Sequence, residues 1–559
     1  MNESPPRGLL RSAATITAWN AVSRVSGFVR VLAVGAAVGT TFLGNTYQSA
    51  NLVSNLLFDV LAAGLLSAPL VPVFVPLIDA RRREDTARVA GTVLSVSLVG
   101  MGMVVAGGFL ARAGIMRVLT LDVRDAGVRA EEVRLGVFLL WFFLPQVVLY
   151  AVCALMTALL HAAHRFAAAA AAPVANNVAV TATMVVLLVM RKGRAPALAL
   201  APSQRLVLAL GTTAGVAAMA AVPLVAAWRA GLRPRPAWDL RAPELREVVR
   251  LGVWGAALLG AGQVLIGVTV VLANRVGGGV VAYQIAFTFF LLPHAVLAHP
   301  MLTALYPRLA ATAGAARWPT FAAELGRGLR GVVLVTLPAS AALFVLGGPM
   351  LRLVRAGALD ASGARLVGRV LAAYSLGLAG YGVFLLLARA STAAGNARLP
   401  AVVAGAMTAI GGLAMVVAAA AARGGDRVVV LGLVHSAVVT VGAVLLLAGL
   451  RRGIGQAIPV ARTTGRALLV AAFTGAMAAG AVRVAPMGQG RVAALTSLLL
   501  GGTAAAVAVV AGYRVLATEE VRALFTELRS PAAAHGGDQQ APGPLPEPAA
   551  VGAADGEWG

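Results

Sequence analysis

Charge is what this chain has least of. Asp, Glu, Lys and Arg make up 12% of its 559 residues, against 59% hydrophobic residues, whereas a water-soluble protein carries about 25% charged residues. Lysine is almost missing: Lys192 is alone among 46 basic residues. A preference that global reads as genomic base composition, so single choices of Arg over Lys carry little information. One cysteine, Cys153, excludes an intramolecular disulfide and a Cys-based metal cluster; it is expected to pack as a small apolar residue. The chemistry of soluble enzymes is absent too. There is no GxxxxGK[ST], no HExxH, no Cys/His constellation and no GxSxG in a strand–turn–helix context. No catalytic residue, metal or cofactor is expected, and the reading is not an enzyme. Without an ATPase motif, transport would be driven by an ion gradient, the membrane potential or consumption of product.

Long apolar runs are what the sequence does have. Stretches of roughly 20 residues, enough to cross a bilayer, recur from about residue 12 to 516. A β-barrel would show short alternating segments instead. The expected fold is an all-α polytopic membrane protein with about fourteen transmembrane helices, arranged as two six-helix lobes plus a C-terminal helix pair. The expected boundaries are a cytoplasmic N-terminus (1–11), a first lobe (12–228), a cytoplasmic amphipathic linker (229–249), a second lobe (250–449), a terminal pair (450–517) and a disordered cytoplasmic tail (518–559). The tail is rich in Pro, Gly and Ala and cannot bury a core.

The net charge of +24 is not a nucleic-acid signal, because the arginines mostly flank the apolar runs. "DARRREDTAR" (79–88), "WRAGLRPRPAWDLRAPELREVVR" (228–250) and the arginines from Arg308 to Arg330 alternate with charge-poor loops such as "GTTFLGN". That pattern places both termini in the cytoplasm by the positive-inside rule, and basic flanks suit anionic lipid headgroups. "RKGRA" (191–195) is a basic exception on the outer side.

Two charges break the apolar pattern. "SRVSGFVR" (23–30) puts Arg24 and Arg30 inside the first span, where a charge costs about 2.5–3.5 kcal/mol on insertion scales. Six residues apart, they stand about 120° apart around a helix and about 9 Å apart along it. They therefore line one broad cavity at two depths, or one of them caps an interface. The planar, permanently charged guanidinium suits phosphate, which makes a phosphorylated amphiphile the natural ligand class. In the second span Asn51, Asn55 and Asp59 share a face at i, i+4, i+8. That face is a cavity wall or a helix contact, and Asp59 pairing with one of the arginines is an even alternative. Gly64, Ser67 and Pro72 further along permit a bend or gate. His294 and His299 in the eighth span could line a polar cavity, although a structural role is the commoner outcome.

At this point the residues resemble a known family. "SRVSGFVRVLAVGAAVGTTFLGNTYQSANLVSNLLFDVLAAGLLSAPLVPVF" is similar to the N-terminal signature of the MurJ (MviN) family of lipid II flippases. "HRFAAAAAAPVANN", "LPASAALFVLGGPMLRLV" and "AAYSLGLAGYGVFLLLARASTAAGNARLP" resemble its fifth, ninth and tenth spans in order. The resemblance implies a fourteen-helix inner-membrane protein of the multidrug/oligosaccharidyl-lipid/polysaccharide exporter superfamily with a central cationic cavity. It would turn over lipid II, a lipid-linked pyrophosphate precursor of peptidoglycan, by alternating access. Arg24 and Arg30 match family cavity arginines and would hold the pyrophosphate, with Asn55 and Asp59 beside them. The partners implied are lipid II, membrane lipids and other cell-wall assembly proteins. The chain also departs from the family pattern. Asn45 stands where an acid is usual, Phe58 and Thr288 stand where cavity arginines are usual, and the PN pair is Ser54-Asn55. Arg389 and Arg275 are the candidate substitutes. Export of another undecaprenyl-linked glycan and a non-transporting scaffold for cell-wall assembly stay open as alternatives.

Overall fold

A backbone surrounded by lipid must satisfy its own hydrogen bonds, so long apolar runs become helices. In the computed structural model, which describes residues 7–60, 68–80, 83–239, 243–485, 488 and 490–516, the described residues are mainly helical and include no strand. Twelve helical segments among them are long and apolar enough to cross a membrane. The pair Ala361–Ser375 and Leu378–Ala393, bent by 50°, makes a thirteenth. The expected second span falls on two helices with 61–67 between them. Gly64 and Ser67 lie outside the described residues, and Pro72 is within the second of those helices.

The first six expected spans fall on α1 (Arg7–Val38), α2 (Phe42–Leu57) and α3 (Ala68–Asp79), α4 (Arg83–Leu119), α5 (Ala126–Phe143) with α6 (Gln146–Ala162), α7 (Phe166–Arg191) and α8 (Pro202–Arg229). The next six are α9 (Pro243–Ala273), α10 (Gly279–Pro293) with α11 (His299–Gly314), α12 (Trp318–Leu353), α13 (Ala361–Ser375) with α14 (Leu378–Ala393), α15 (Arg398–Ala421) and α16 (Asp426–Ile454). Helices α17 (Ala461–Val484) and α18 (Arg491–Leu516) pack on each other and on α12. A π turn, His294–Ala298, joins α10 to α11 directly after Pro293. Helix α9 begins at Pro243, so the charged stretch 243–250 runs into the seventh span as one helix.

Small residues set how closely the helices approach, because packing between spans cannot use a hydrophobic driving force. The most extensive pairing joins α7 to α8. There Gly211 and Gly215, four apart, leave room for Thr183 and Asn176: a Cβ at Gly211 would stand 2.2 Å from Thr183 Oγ1. Polar bonds across helices add specificity. Ser54 Oγ donates to the Phe143 carbonyl at 2.6 Å, and Asn177 Nδ2 donates to Ser26 Oγ at 3.0 Å, fixing α7 on α1.

The core is not divided evenly. One apolar cluster joins both halves of the chain, with Val38, Leu43, Tyr47, Leu140 and Phe143 from the first six spans and Val280, Ile285, Phe290, Val367 and Leu371 from the next six. The part that joins them gathers where α1 ends and α2 begins. A separate cluster, with Leu302, Phe321, Leu325, Leu387 and Leu450, serves the opposite end of the second group alone. The two halves therefore share a core at one end of the bundle, and α3 also meets α9 away from that end.

At the fused end the α9–α10 turn presses on the α1–α2 turn. Gly278 there has φ +75°, and a Cβ would lie 2.2 Å from the Thr40 carbonyl carbon. Replacing Gly278 with Ala is expected to lower the thermal midpoint of the purified protein in detergent by several degrees, about the effect of 1–3 kcal/mol of backbone strain. Gly262→Ala, where a Cβ meets nothing within 4 Å, is expected to leave the midpoint unchanged or raise it slightly.

A cationic cleft as candidate functional site

The fused end is held by a polar network whose members come from both halves. Asn45 does not stand idle where an acid was expected. Its side-chain amide donates to the Val276 carbonyl at 2.9 Å and accepts from the Val280 amide at 3.0 Å. Glu132 is buried and accepts from Thr46 Oγ1 at 3.1 Å and from Asn274 Nδ2 at 3.1 Å. Asp122 takes two arginines, Arg275 at 3.2 Å and Arg427 on its other oxygen. The turn before α13 adds a backbone bond, from the Ala358 amide to the Ala36 carbonyl at 2.8 Å. Arg191, the basic exception, is buried there and donates to the Ala37 and Arg194 carbonyls. A cation at the C-terminal end of α1 also faces the favourable end of the helix dipole.

Phe28 meets Phe289 edge-on with ring centroids 5.0 Å apart, and a Cβ at Gly35 would touch Ile285, so the upper part of α1 packs on α10. One turn below Phe28, Arg24 is exposed, as are Trp19, Val22 and Val25. Its charge nonetheless acts on His294 and His299 of the eighth span, as does that of Arg389 from α14. Arg24 is thus exposed, yet within electrostatic range of His294 and His299 on the other half. His294 packs edge-on against Tyr381, 5.0 Å away, and its Nδ1 has no hydrogen-bond partner among the described residues.

Arg30 points the other way. It is half-buried, and its charge acts on Tyr47 and Tyr150 within the first six spans. The 120° offset between the two arginines thus gives α1 two separate cationic faces, one toward His294 and His299 and one toward Tyr47 and Tyr150. Tyr150 donates to Asn55 Oδ1 at 3.1 Å and stacks at a tilt on Phe58, 4.5 Å away. Asp59 does not pair with an arginine: it accepts from Gln263 Nε2 of α9 at 2.8 Å. A neutral amide on the facing helix reaches the carboxylate and leaves the arginines uncompensated. Among the described residues no carboxylate lies within 4.0 Å of Arg24, Arg30 or Arg389, and no group of three or more acids, His or Cys is placed to hold a metal ion.

Of the residues singled out in the sequence, Arg30, Asn55 and Asp59 gather around Tyr150, whereas Arg24 acts on His294 and His299 instead. The two substitute cations separate. Arg389 belongs to the cleft, whereas Arg275 is committed to Asp122 at the sealed end and is not a cavity cation. Thr288 bonds back to the Gln284 carbonyl at 2.9 Å. Sequence reasoning passed over Gln263 and Tyr150, and it favoured a structural role for His294 and His299. For the histidines the π turn between Pro293 and Pro300 was the available signal, since such turns recur at functional sites.

A two-halved helical bundle, sealed at one end and cleft at the other, is the architecture of a membrane transporter. Solved structures agree on the fold. One titled a lipid II flippase MurJ in an inward closed conformation superposes with a TM-score of 0.70 at 16% identity, over 90% of this chain and 99% of its own. An inward-facing multidrug resistance MATE family transporter of the MOP superfamily gives 0.62 at 13% identity, over 78% and 94%. The sequence then settles the family. Residues 34–499 match the model described as "Lipid II flippase MurJ", and the chain belongs to that family. The matched region begins four residues after Arg30. Among curated relatives, a probable lipid II flippase MurJ of Rhizobium tropici is 26% identical over 372 residues, 66% of this chain and 68% of that protein. The lipid II flippase MurJ of Burkholderia cenocepacia is 26% identical over 383 residues, 68% and 72%.

The Asp122 clasp sets how firmly the sealed end holds. Asp122→Asn removes the charge that Arg275 and Arg427 share and leaves Arg427 buried without its counter-ion. Spin labels at the exposed positions Arg124 and Arg423, in a Cys153→Ser background, are expected to report a longer or broader distance distribution in Asp122→Asn than in the parent. Identical distributions would mean that the clasp does not hold the two halves together.

Proposed function

We propose that this chain carries lipid II across the bacterial inner membrane by alternating access, with both termini in the cytoplasm, and that it performs no covalent chemistry. In that orientation the cleft opens to the cytoplasm and the sealed end faces outward. The observation that carries the reading is a pair of arginines with no carboxylate partner among the described residues, Arg24 from one half and Arg389 from the other, whose charges act on the same two histidines, His294 and His299.

Facing cations repel, so the empty cleft resists closing. A diphosphate between them reverses the sign of that interaction. Arginine forks bind phosphate oxygens in pairs, and in a low-dielectric cleft such charge-assisted bonds are about twice as strong as neutral ones. Once the diphosphate is held, each wall is attracted to it and the cleft can narrow. The strain falls on the outer seal, whose Asp122, Glu132 and Asn45 bonds must break for the headgroup to leave on the other side. Arg30, Asn55 and Asp59 line the path toward the seal and would receive the headgroup next. The isoprenoid tail would remain in lipid, beside the exposed apolar faces of α1 (Val22, Val25, Val29) and the eighth span (Val296, Leu297, Tyr306). The site takes an anion, which disfavours a cationic drug as cargo.

Replacing Arg24 with Ala is expected to abolish rescue of a flippase-depleted strain at normal protein level and to cut outer-leaflet lipid II by about tenfold or more, the loss of one charged hydrogen-bonding partner at about 1.5–3 kcal/mol. Arg275→Ala, which touches the seal and not the cleft, is expected to lower rescue far less. Full rescue by Arg24→Ala would remove the assigned role.

A further inference from the structure

A second basic site lies on the outside of the bundle, where no transported headgroup passes. The end of α12 and the start of α13 enclose a groove of about 480 Å³, whose mouth carries Arg352, Arg355, Arg365 and Arg369. Two carboxylates lie near these four cations among the described residues: Asp426 pairs with Arg369, and Asp360 is within electrostatic range of Arg365. Deeper, the lining becomes apolar, with Phe344, Val345, Pro349 and Ala372. Phe344 stands about nine residues before the end of α12, roughly 13 Å into the bilayer at 1.5 Å per residue, and its ring is exposed. The groove is thus cationic at headgroup depth and greasy at acyl-chain depth. Nothing fills it from below: Gly348 lines it, and a Cβ there would meet no atom within 4 Å. It is also remote from the cleft. Ala36, beside the turn before α13, is twelve residues along α1 from Arg24, about 18 Å.

We propose that this groove is a binding site for an anionic glycerophospholipid of the leaflet at the sealed end, with its phosphate among the four arginines and one acyl chain against Phe344. Charge complementarity and depth both favour this occupant. Juxtamembrane arginines attract anionic lipid individually, and four around one mouth add the bidentate geometry that phosphate accepts. A lipid there would brace the α12–α13 turn, whose Ala358 closes on Ala36, and so would favour the sealed state.

The test uses the full chain in nanodiscs containing phosphatidylglycerol with a photoreactive acyl chain, with cross-linked peptides mapped by mass spectrometry. Labelling is expected in 344–372. The double variant Arg355→Ala/Arg365→Ala, which leaves the Arg369–Asp426 pair intact, is expected to reduce it by about tenfold or more. Gly348→Leu, which fills the empty space without a clash, is expected to reduce labelling to a similar degree with the arginines intact, and Arg365→Lys to retain most of it. Labelling that is unchanged in both Gly348→Leu and the double variant would overturn the proposal. So would equal labelling by a phosphatidylcholine probe, or displacement by undecaprenyl diphosphate but not by unlabelled phosphatidylglycerol.

Discussion

A guanidinium inside a membrane span must have water, a counter-ion or a ligand. Among the described residues Arg24 has no carboxylate within 4.0 Å, and Asp59 is bonded to Gln263. The chain therefore has to keep water at Arg24, and it can do so only if the two halves stay apart there. The architecture follows from that requirement. The halves share a core and a polar seal at one end, and at the other the second half keeps its own core. A conventional ion pair at Arg24 would remove the reason for the gap and the affinity for an anion together.

The seal and the cleft have opposite electrostatics, and this allows one ligand to exchange them. At the seal, charges are matched: two arginines share Asp122, Glu132 is bonded from both halves, and Asn45 bridges backbone groups of the α9–α10 region. At the cleft, like charges face one another. A polyanion stabilises closure of the second without touching the first, so binding energy is available to work against the seal. A ligand shifts a conformational balance only by its difference in affinity for the two states, and here that difference comes from cations that are far apart when the cleft is open.

Much of the fold was legible because the bilayer allows few solutions. The apolar runs map onto the helices, with a bent pair at the tenth expected span. The arginine pair stood out as an energetic anomaly, and its two members have different neighbours: His294 and His299 for Arg24, Tyr47 and Tyr150 for Arg30. What was not legible is which partner each polar group takes. The Asn51–Asn55–Asp59 spacing gives a face but not Gln263, some 200 residues away, and nothing in Arg275 or Arg389 alone tells a clasp from a cleft cation. The basic exception at 191–195 ran against the charge rule because Arg191 serves helix ends. Such pairings depend on how two halves meet, which local periodicity does not encode.

The central claim is that cations from both halves take one diphosphate. Binding of undecaprenyl diphosphate to the purified full chain, measured for the parent, Arg24→Ala, Arg389→Ala and the double variant, tests it most directly. The account predicts a marked loss of affinity in each single variant and a double-mutant loss that departs from their sum, because both side chains grip one ligand. Affinities that are unchanged in both single variants, or strictly additive losses, would contradict it.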